Sequence, residues 1–304
     1  MTFSKTIGVA GAGLMGSGIA AKFAAAGYDV LVYDSAAPSL ARVQERCAAI
    51  FAELVRGEAM TPEQAQAAQA RVGLAQALGG LAACAIVIEA INEVLEAKQA
   101  LFAALEANLP AGTPIASSTS GFTPERLAEK MANPERFLVA HFWNPPHLVP
   151  LVEVLPAPRT GGAVVDAAMA LLRDAQCEPV LLKKAVPGFI GNRIQFAVLR
   201  EALHLLREGV ADAATIDLVM KQSLGRRYGS IGPLEGADVG GLDTFLAIST
   251  HLMPELAKDE DVLELLRAHV ERGERGRASG QGFYAWDAAR EAWLAQVRLK
   301  MLKA

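Results

Sequence analysis

The feature that most constrains the fold is a glycine pattern near the start of the chain. A short apolar run, Thr6 to Ala10, leads into the segment GAGLMG, and a helical pattern follows. Glycines at the first, third and sixth positions permit a tight turn, the close approach of a pyrophosphate and the packing of a helix on a strand. The start of that helix also offers unpaired N–H groups and the positive end of its dipole to phosphates. The pattern predicts dinucleotide binding at Gly11, Gly13, Leu14, Met15 and Gly16.

The acidic residue downstream of this turn strengthens the interpretation. Alone, GxGxxG is weak evidence in a chain with 27 glycines, where it can be only a tight turn between a strand and a helix. Here a second predicted strand, Tyr28 to Tyr33, ends at Asp34, 18 residues after Gly16. A carboxylate at this position accepts hydrogen bonds from an adenosine ribose and repels a 2′-phosphate, and no arginine lies in the next segment, Ser35 to Ala37. We therefore expect NAD rather than NADP; the alternative role of Asp34 is a helix cap.

Strand and helix patterns alternate through the first 184 residues. The predicted strands are 6–10, 28–33, 85–90, 114–117, 137–141, 148–155 and 178–182. This alternation is typical of a mainly parallel sheet with helices on both faces. From Pro187 onward the pattern is helical with almost no strand signal. The sequence therefore predicts two domains, a Rossmann-type α/β domain over 1–184 and an all-helical domain over 185–304.

Several helix boundaries carry their own signals. Gly27 is placed to end the first helix. In the segment from Thr61 to Gln64, a threonine N-cap, a proline at the first helical position and a glutamine three residues after the cap predict a capping box. Pro187 and Gly188 are expected to open a long helix that runs to about Glu208. Further helices are predicted at 40–55, 95–109, 215–222, 242–257 and 262–272.

Composition excludes several classes of partner. The net charge of −4 has no basic stripe, which argues against nucleic acid. Three cysteines at wide spacing, Cys47, Cys84 and Cys177, indicate reduced thiols of a cytoplasmic protein rather than disulfides or a zinc site. No apolar run reaches the roughly 18 residues of a membrane span, and the first residues do not resemble a signal peptide. We expect no metal, because the histidines share no ligand spacing; His147, His204, His251 and His269 are expected to be surface or packing residues.

A histidine and a glutamate lie in an apolar context that demands an explanation. His141 opens the segment HFWNPPHLVPLVEV, and Glu153 lies within its apolar end. A carboxylate there is costly unless a partner compensates it. Oxidation of an alcohol requires a base for the hydroxyl proton, and histidine suits because its ordinary pKa lies near neutrality. A buried carboxylate on the second ring nitrogen would fix the tautomer and stabilise the imidazolium. The Asn-Pro-Pro turn between the two residues reverses the chain, so we predict that His141 and Glu153 pair. The alternative is that His141 is an ordinary core residue, which would be the more common role of a histidine without such a partner.

Several motifs together resemble those of the 3-hydroxyacyl-CoA dehydrogenase family over essentially the whole chain. They are GAGLMG with Asp34, EAINEVLEAK, SSTSGF, HFWNPP, LVEV, PGFIGNR and ASGQGFYAW, in the family's order. The resemblance implies reversible, NAD-dependent oxidation of an L-3-hydroxyacyl-CoA in fatty acid metabolism, and a homodimer formed through the helical domain. It implies that His141 is the base and Glu153 its partner. It also implies that Ser120 and Asn192 contact the reacting oxygen, so that the site lies between the two domains.

The same resemblance places further residues near the cofactor. These are Glu93, Lys98, Ser118 and Asn144, with Lys98 also near the substrate and Ser118 where many members have asparagine. Each has a plainer alternative: Ser120 as a loop hydroxyl, Asn192 as a helix cap, Glu93 and Lys98 as a helix-face pair. The latter two are five residues apart, which is a poor spacing for an ion pair on a helix and favours separate roles.

Other segments resemble a neighbouring branch, the L-gulonate 3-dehydrogenases and lambda-crystallins. These segments are SSTS, NPP and LGRRYGSIGPLE. Users of CoA in the family place hydroxyl and lysine side chains on the helical segment after Asp34, yet the segment from Cys47 to Met60 holds no lysine or serine and only one cation, Arg56. Lys98, Arg42 and Arg46 are other candidates for a CoA phosphate. The alternatives are therefore an NAD-dependent dehydrogenase of a free 3-hydroxy acid, such as a sugar acid, and a non-catalytic NAD-binding protein.

Overall fold

The chain divides into two compact units. The structure is a computed structural model, which describes residues 5–258 and 260–303. One unit comprises residues 5–189 together with 294–303, and the other comprises 190–293. The predicted division at 184/185 thus differs from the observed contacts, and the final residues lie with the first unit. Two ion pairs attach these final residues to the first unit: Arg298 pairs with Glu53, and Lys303 pairs with Glu58.

An eight-stranded sheet forms the centre of the first unit. Its strands are β1 (Thr6–Ala10), β2 (Asp29–Tyr33), β3 (Val72–Leu74), β4 (Val87–Glu89), β5 (Ile115–Ser117), β6 (Phe137–Phe142), β7 (Leu151–Pro156) and β8 (Glu178–Leu181). Their spatial order is β3-β2-β1-β4-β5-β6-β7-β8, and neighbouring strands are parallel except β6 and β7. The expected mainly parallel sheet is confirmed. The order reverses between β1 and β4, which is where open α/β sheets bind ligands, beyond the carboxyl ends of the strands.

Seven helices connect the strands of the described part of this unit, and α7 was not predicted. They are α1 (Leu14–Ala25), α2 (Ala37–Ala41), α3 (Val43–Arg56), α4 (Pro62–Ala70), α5 (Leu95–Asn108), α6 (Pro124–Ala128) and α7 (Gly162–Asp174). The capping box of α4 is formed, since Thr61 Oγ1 accepts from the Gln64 N–H and the Gln64 side chain accepts from the Thr61 N–H. Gly27 follows α1 with φ of +91°, the conformation in which glycine favourably ends a helix.

Side chains alternate along the strands to form an apolar cluster on each face of the sheet. In β6, Leu138, Ala140 and Phe142 join one cluster, whereas Phe137 and Val139 join the other. Because strand residues two apart share a face, His141 lies on the same face as Phe137 and Val139. The parallel strands are apolar almost throughout, as expected for a sheet buried on both faces.

The second unit is all-helical, as expected. Its helices are α8 (Gly191–Arg207), α9 (Ala213–Gln222), α10 (Leu224–Tyr228), α11 (Pro233–Gly240), α12 (Leu242–Leu252) and α13 (Leu263–Glu271), while α14 (Ala288–Met301) begins in this unit and ends in the first. The long helix does not begin at Pro187: Gly188 and Phe189 adopt φ of +78° and +54°, which interrupts a right-handed helix, so α8 starts at Gly191.

Two further observations concern the chain as a whole. Among the described residues, every helix is too short or too polar to span a bilayer. The three cysteines are free thiols and all are buried. Burial raises the pKa of Cys47 to about 12 and that of Cys84 to about 11, because a thiolate loses hydration there.

Candidate active site

The glycine turn between β1 and α1 leaves space where a phosphate would approach. Gly11 has φ of +119°, and a Cβ on it would lie 2.5 Å from the Ala90 carbonyl oxygen. A Cβ on Gly16 would meet the Gly11 carbonyl oxygen at 1.8 Å, so these two positions require glycine. A Cβ on Gly13 would meet nothing within 4 Å, which leaves the start of α1 open. The first two residues of α1 differ in burial: Leu14 is exposed, whereas Met15 packs partly against the core. The turn therefore fits a dinucleotide pyrophosphate.

Asp34 connects this turn to the end of β2. One carboxylate oxygen accepts from the Ala12 N–H at 2.7 Å and the other from the Ala36 N–H at 2.8 Å. A carboxylate offers about four lone pairs, so capacity remains for a ribose diol. Arg46, from α3, donates to the Ala12 carbonyl and thus lies at the same turn. The sequence indicated Arg46 only as a candidate for a CoA phosphate, because its contact with the turn depends on how α3 packs.

His141 and Glu153 face each other across the antiparallel pair β6 and β7. They are direct partners in the strand register, and His141 Nδ1 lies 2.9 Å from Glu153 Oε2. Both are buried, with 3% and 1% of their surfaces exposed. Side chains directly opposite each other share a face and lie close enough to bond. With Nδ1–H donating to the carboxylate, Nε2 is the acceptor of the ring. The predicted pairing is thus present.

Two aromatic rings flank the histidine. Trp143 lies 5.6 Å from the His141 ring centroid, and Phe189 lies 5.4 Å away in an edge-on arrangement. Phe189 is fully buried despite its positive φ, so the surrounding core holds it there. Both rings restrict rotation of the imidazole. Neither contact was predicted, since each depends on the course of the chain after β6 or before α8.

A buried polar network lies at the carboxyl ends of β4 and β5. Glu89 and Lys98 are 0% and 1% exposed, and their charged atoms lie 2.6 Å apart. Glu89 Oε1 also accepts from the Ile91 N–H at 2.7 Å, and Oε2 accepts from Ser117 Oγ at 2.5 Å. Glu89 begins the segment EAINEVLEAK, but no sequence pattern assigned it a role of its own.

Glu93 and Lys98 are ion-paired, with 3.1 Å between Nζ and Oε2. The expectation that their spacing would not support an ion pair was wrong. Glu93 precedes the first residue of α5, Leu95, so the spacing rule for two helical residues does not apply to it. The other oxygen of Glu93 accepts from Thr119 Oγ1 and from the backbone N–H groups of Ser120 and Gly121.

The remaining predicted residues lie in different places. Ser118 donates its N–H to the Glu89 carbonyl, and its Oγ is buried with no hydrogen-bond partner among the described protein atoms. Such an orphaned hydroxyl, directly after the carboxyl end of β5, fits a site that a cofactor completes. Ser120 and Asn144 are exposed on loops after β5 and β6. Asn192 lies in the second unit, at the second residue of α8, and its approach to His141 stays a prediction.

A second buried histidine–carboxylate pair lies away from these residues. His147 Nε2 is 3.0 Å from Glu53 Oε2, and Arg298 bonds both carboxylate oxygens of Glu53. Arg298 is the main cause that lowers the pKa of Glu53 to about 2, while burial lowers the pKa of His147. His147 is therefore a bonded residue of the interior, a role its sequence position alone did not indicate. Within the described residues, no cluster of acidic, histidine or cysteine side chains has the grouping of a metal site.

Oxidation of an alcohol removes a hydride from carbon and a proton from oxygen. A dinucleotide fold supplies a place for the hydride acceptor, and a histidine held in one tautomer has the chemistry that a proton acceptor needs. The dinucleotide fold and the buried histidine together define the class of this molecule. It is one of the NAD-dependent dehydrogenases that act on a CH–OH group.

Comparison with known proteins assigns the family. Residues 6–185 match the model of the 3-hydroxyacyl-CoA dehydrogenase NAD binding domain, and residues 188–286 match that of the C-terminal domain. The chain belongs to the 3-hydroxyacyl-CoA dehydrogenase family. This confirms the resemblance drawn from the motifs, together with the NAD-binding character of the first unit.

Individual relatives differ in the substrates that their names carry. The chain is 37% identical to a 3-hydroxybutyryl-CoA dehydrogenase of Bradyrhizobium diazoefficiens over 287 residues, which cover 94% of this chain and 97% of that protein. It is 34% identical to a lambda-crystallin homolog of Rattus norvegicus over 237 residues, covering 75% and 72%. A crystal structure of 5-formyl-3-hydroxy-2-methylpyridine 4-carboxylic acid 5-dehydrogenase, an NAD⁺-dependent dismutase, superimposes with a TM-score of 0.89 at 28% identity, covering 98% and 96%. Relatives of this family thus include enzymes of CoA esters and of a free acid.

Proposed function

We propose that this protein catalyses the reversible, NAD-dependent oxidation of an L-3-hydroxyacyl group to the 3-oxo group, with an acyl-CoA as the substrate. The observation that carries the proposal is the buried bond of 2.9 Å between His141 Nδ1 and Glu153 Oε2. It orients the imidazole and leaves Nε2 to accept a proton. The 3-hydroxybutyryl-CoA dehydrogenase among the relatives supports the CoA form.

Each residue then has a defined task. Bound NAD supplies the acceptor for the hydride. His141 Nε2 takes the hydroxyl proton, and Glu153 stabilises the imidazolium that results. Ser120 and Asn192 are assigned to the reacting oxygen, as the family resemblance implies. The glycine turn and Asp34 hold the dinucleotide at its pyrophosphate and adenosine ribose.

Observations on α3 favour a second candidate, the oxidation of a free 3-hydroxy acid. The segment from Cys47 to Met60 has one cation, Arg56. Of the other candidates for a CoA phosphate, Lys98 is buried and bonded to two carboxylates, and Arg46 donates to the Ala12 carbonyl. Arg42 is exposed and lies 3.8 Å from Glu45. A terminal phosphate of roughly two charges would therefore find few ready partners. The solved dehydrogenase of a pyridine carboxylic acid supports this reading.

A substrate panel distinguishes these candidates. NADH formation is followed with 3-hydroxybutyryl-CoA, free 3-hydroxybutyrate, L-gulonate and carnitine, each at several concentrations. A kcat/KM at least about tenfold higher for the CoA ester than for every free acid supports the first candidate, since the nucleotide then contributes about 1.4 kcal/mol or more to transition-state binding. The reverse ranking supports the second. No turnover of any compound, combined with tight NAD binding, supports the non-catalytic alternative and rejects both.

We also propose that the protein is a homodimer formed through the helical unit. In that unit, Leu234, Val239 and Leu246 are 82%, 78% and 69% exposed, and several apolar residues of α8 are likewise exposed. So much exposed apolar surface is typical of a protein interface. The expected partner is a second copy, as the family resemblance implies. Sedimentation equilibrium should give a mass of two chains for the wild type, and Leu246→Glu should lower this mass toward that of one chain. A wild-type monomer would contradict the proposal.

A further inference from the structure

We propose that Glu89 is a positioning residue of the active site. Through Lys98 and Ser117, its buried carboxylate fixes the two loops that carry Glu93 and Ser120. This inference rests on the proposed function for its link to catalysis, because those two loops hold the residues assigned to cofactor and substrate. The link to cofactor binding is independent of which substrate is used.

The carboxylate of Glu89 is buried and compensated by a full set of partners. The residue is 0% exposed, yet it ends β4 at the edge of the sheet where dinucleotides bind. An ionised carboxylate inside a protein is costly unless it is paired and hydrogen-bonded. Here Lys98 supplies the positive charge at 2.6 Å, and both carboxylate oxygens accept further bonds. A hydrophobic residue would fill this space without such a network, so the carboxylate has a specific task.

The loop between β4 and α5 depends on one of its oxygens. Glu89 Oε1 accepts from the Ile91 N–H at 2.7 Å and from Lys98 Nζ at 2.6 Å. The same ammonium group donates to Glu93 Oε2 at 3.1 Å and approaches the Ile91 carbonyl at 3.4 Å. An ammonium has three N–H donors, so these oxygens can use all of them. Lys98 therefore transmits the position of Glu89 to Glu93, rather than acting as a mobile surface charge.

The loop after β5 depends on the other oxygen. Ser117 Oγ donates to Glu89 Oε2 at 2.5 Å and accepts from the Thr119 N–H at 3.3 Å. Thr119 Oγ1 in turn donates to Glu93, whose carboxylate also holds the Ser120 N–H at 3.1 Å. Both branches from Glu89 thus converge on Glu93. Loss of the central charge loosens both loops at once.

The test compares the two halves of the dinucleotide in Glu89→Gln. The amide has nearly the same shape, keeps an acceptor for the backbone N–H and removes the charge that holds Lys98. ADP-ribose lacks the nicotinamide and depends on the glycine turn and Asp34, so its Kd and stoichiometry should not change. The Kd of NADH should rise about 10-fold to 100-fold, the range expected when a hydrogen bond to a charged group is lost. With a substrate from the panel, kcat should fall by at least about tenfold.

Glu106 offers a matched control on the same helix. Its side chain is 9% exposed, it lies 3.6 Å from Arg136, and it accepts from the N–H groups of Ala132 and Asn133. It is eight residues beyond Lys98 on α5, hence about 12 Å along the helix axis. Glu106→Gln should lower the unfolding temperature while leaving the affinities for both ligands unchanged.

A second variant guards against loss of the fold. Ser117→Ala removes only one branch of the network and should weaken NADH binding in the same direction by a smaller factor. The inference is overturned if Glu89→Gln weakens NADH and ADP-ribose equally, if its ADP-ribose stoichiometry falls in step with kcat, or if NADH binding is unchanged. If the wild type oxidises no 3-hydroxy compound, the proposed function fails, while the ratio of the two affinities still tests Glu89.

Discussion

Replacing Glu153 by glutamine removes a single negative charge beside the proposed base. The side chain is 1% exposed, and its Oε2 lies 2.9 Å from His141 Nδ1. Glutamine is nearly isosteric, so β6 and β7 should keep their pairing. It cannot stabilise a positive imidazole, and its amide nitrogen can face Nδ1 and favour the wrong tautomer. The change should therefore affect catalysis far more than binding.

The size of the effect follows from the geometry. Two unit charges centred roughly 4 Å apart attract by about 4 kcal/mol at an effective dielectric constant of about 20. Each 1.4 kcal/mol is about a tenfold change in rate, so the ceiling is about 10³-fold. A neutral hydrogen bond recovers about 1 kcal/mol of this. We expect kcat to fall about 10²-fold to 10³-fold, within the range that general base catalysis supplies.

The assay is steady-state oxidation over a range of pH. Because the glutamine amide cannot balance a positive imidazole, the fall in kcat should be seen across the pH range and not at one pH alone. The control is Glu53→Gln, which removes the carboxylate of the other buried pair, 3.0 Å from His147. This control should lose stability but keep kcat. Wild-type kcat in Glu153→Gln would refute the reasoning.

Three further predictions concern the cofactor, acid stability and the thiols. Asp34→Ala should raise kcat/KM with NADP relative to NAD, since Arg46 lies at the same turn, and adding Arg46→Ala should reverse the gain; an unchanged ratio in Asp34→Ala contradicts the assignment. Arg298 lowers the pKa of Glu53 from 4.5 to about 2, and burial lowers that of His147 from 6.5. Because both pKa values are lower in the folded protein, the stability that these two groups contribute is complete above about pH 6.5 and is lost as the pH falls. The unfolding temperature should therefore decrease below about pH 6.5, and Glu53→Gln should reduce the part of this decrease that occurs below about pH 4.5. The three buried cysteines should react with a disulfide reagent only on unfolding, and rapid reaction of the native protein would contradict their burial.

Features set by neighbouring residues were predictable from the sequence. The capping box at Thr61 depends on four consecutive residues, and all of its hydrogen bonds are present. The glycine turn is likewise local. The pairing of His141 with Glu153 spans only 12 residues, and a reversal at Asn-Pro-Pro brings the two strands side by side. In each case the chemistry and the spacing lie within one short segment.

Features that depend on distant residues were not predictable. Glu89 and Ser117 are 28 residues apart, and they meet because β4 and β5 are adjacent in the sheet. Glu53 and Arg298 are 245 residues apart, and no local pattern relates them. Strand β3 has three residues, which are too few to show a strand periodicity in the sequence. Its place at the edge of the sheet is evident only from its pairing with β2. Topology, rather than composition, decides these contacts.

The role of His141 as the base is tested most directly by His141→Ala. The rate of NADH formation is measured across pH with the panel compound that the wild type oxidises best, together with the Kd of ADP-ribose as a check on the fold. If His141 is the base, kcat should fall about 10²-fold or more at every pH, with an unchanged Kd for ADP-ribose. A variant that keeps the wild-type rate would show that another group removes the proton, and the proposed mechanism would be wrong.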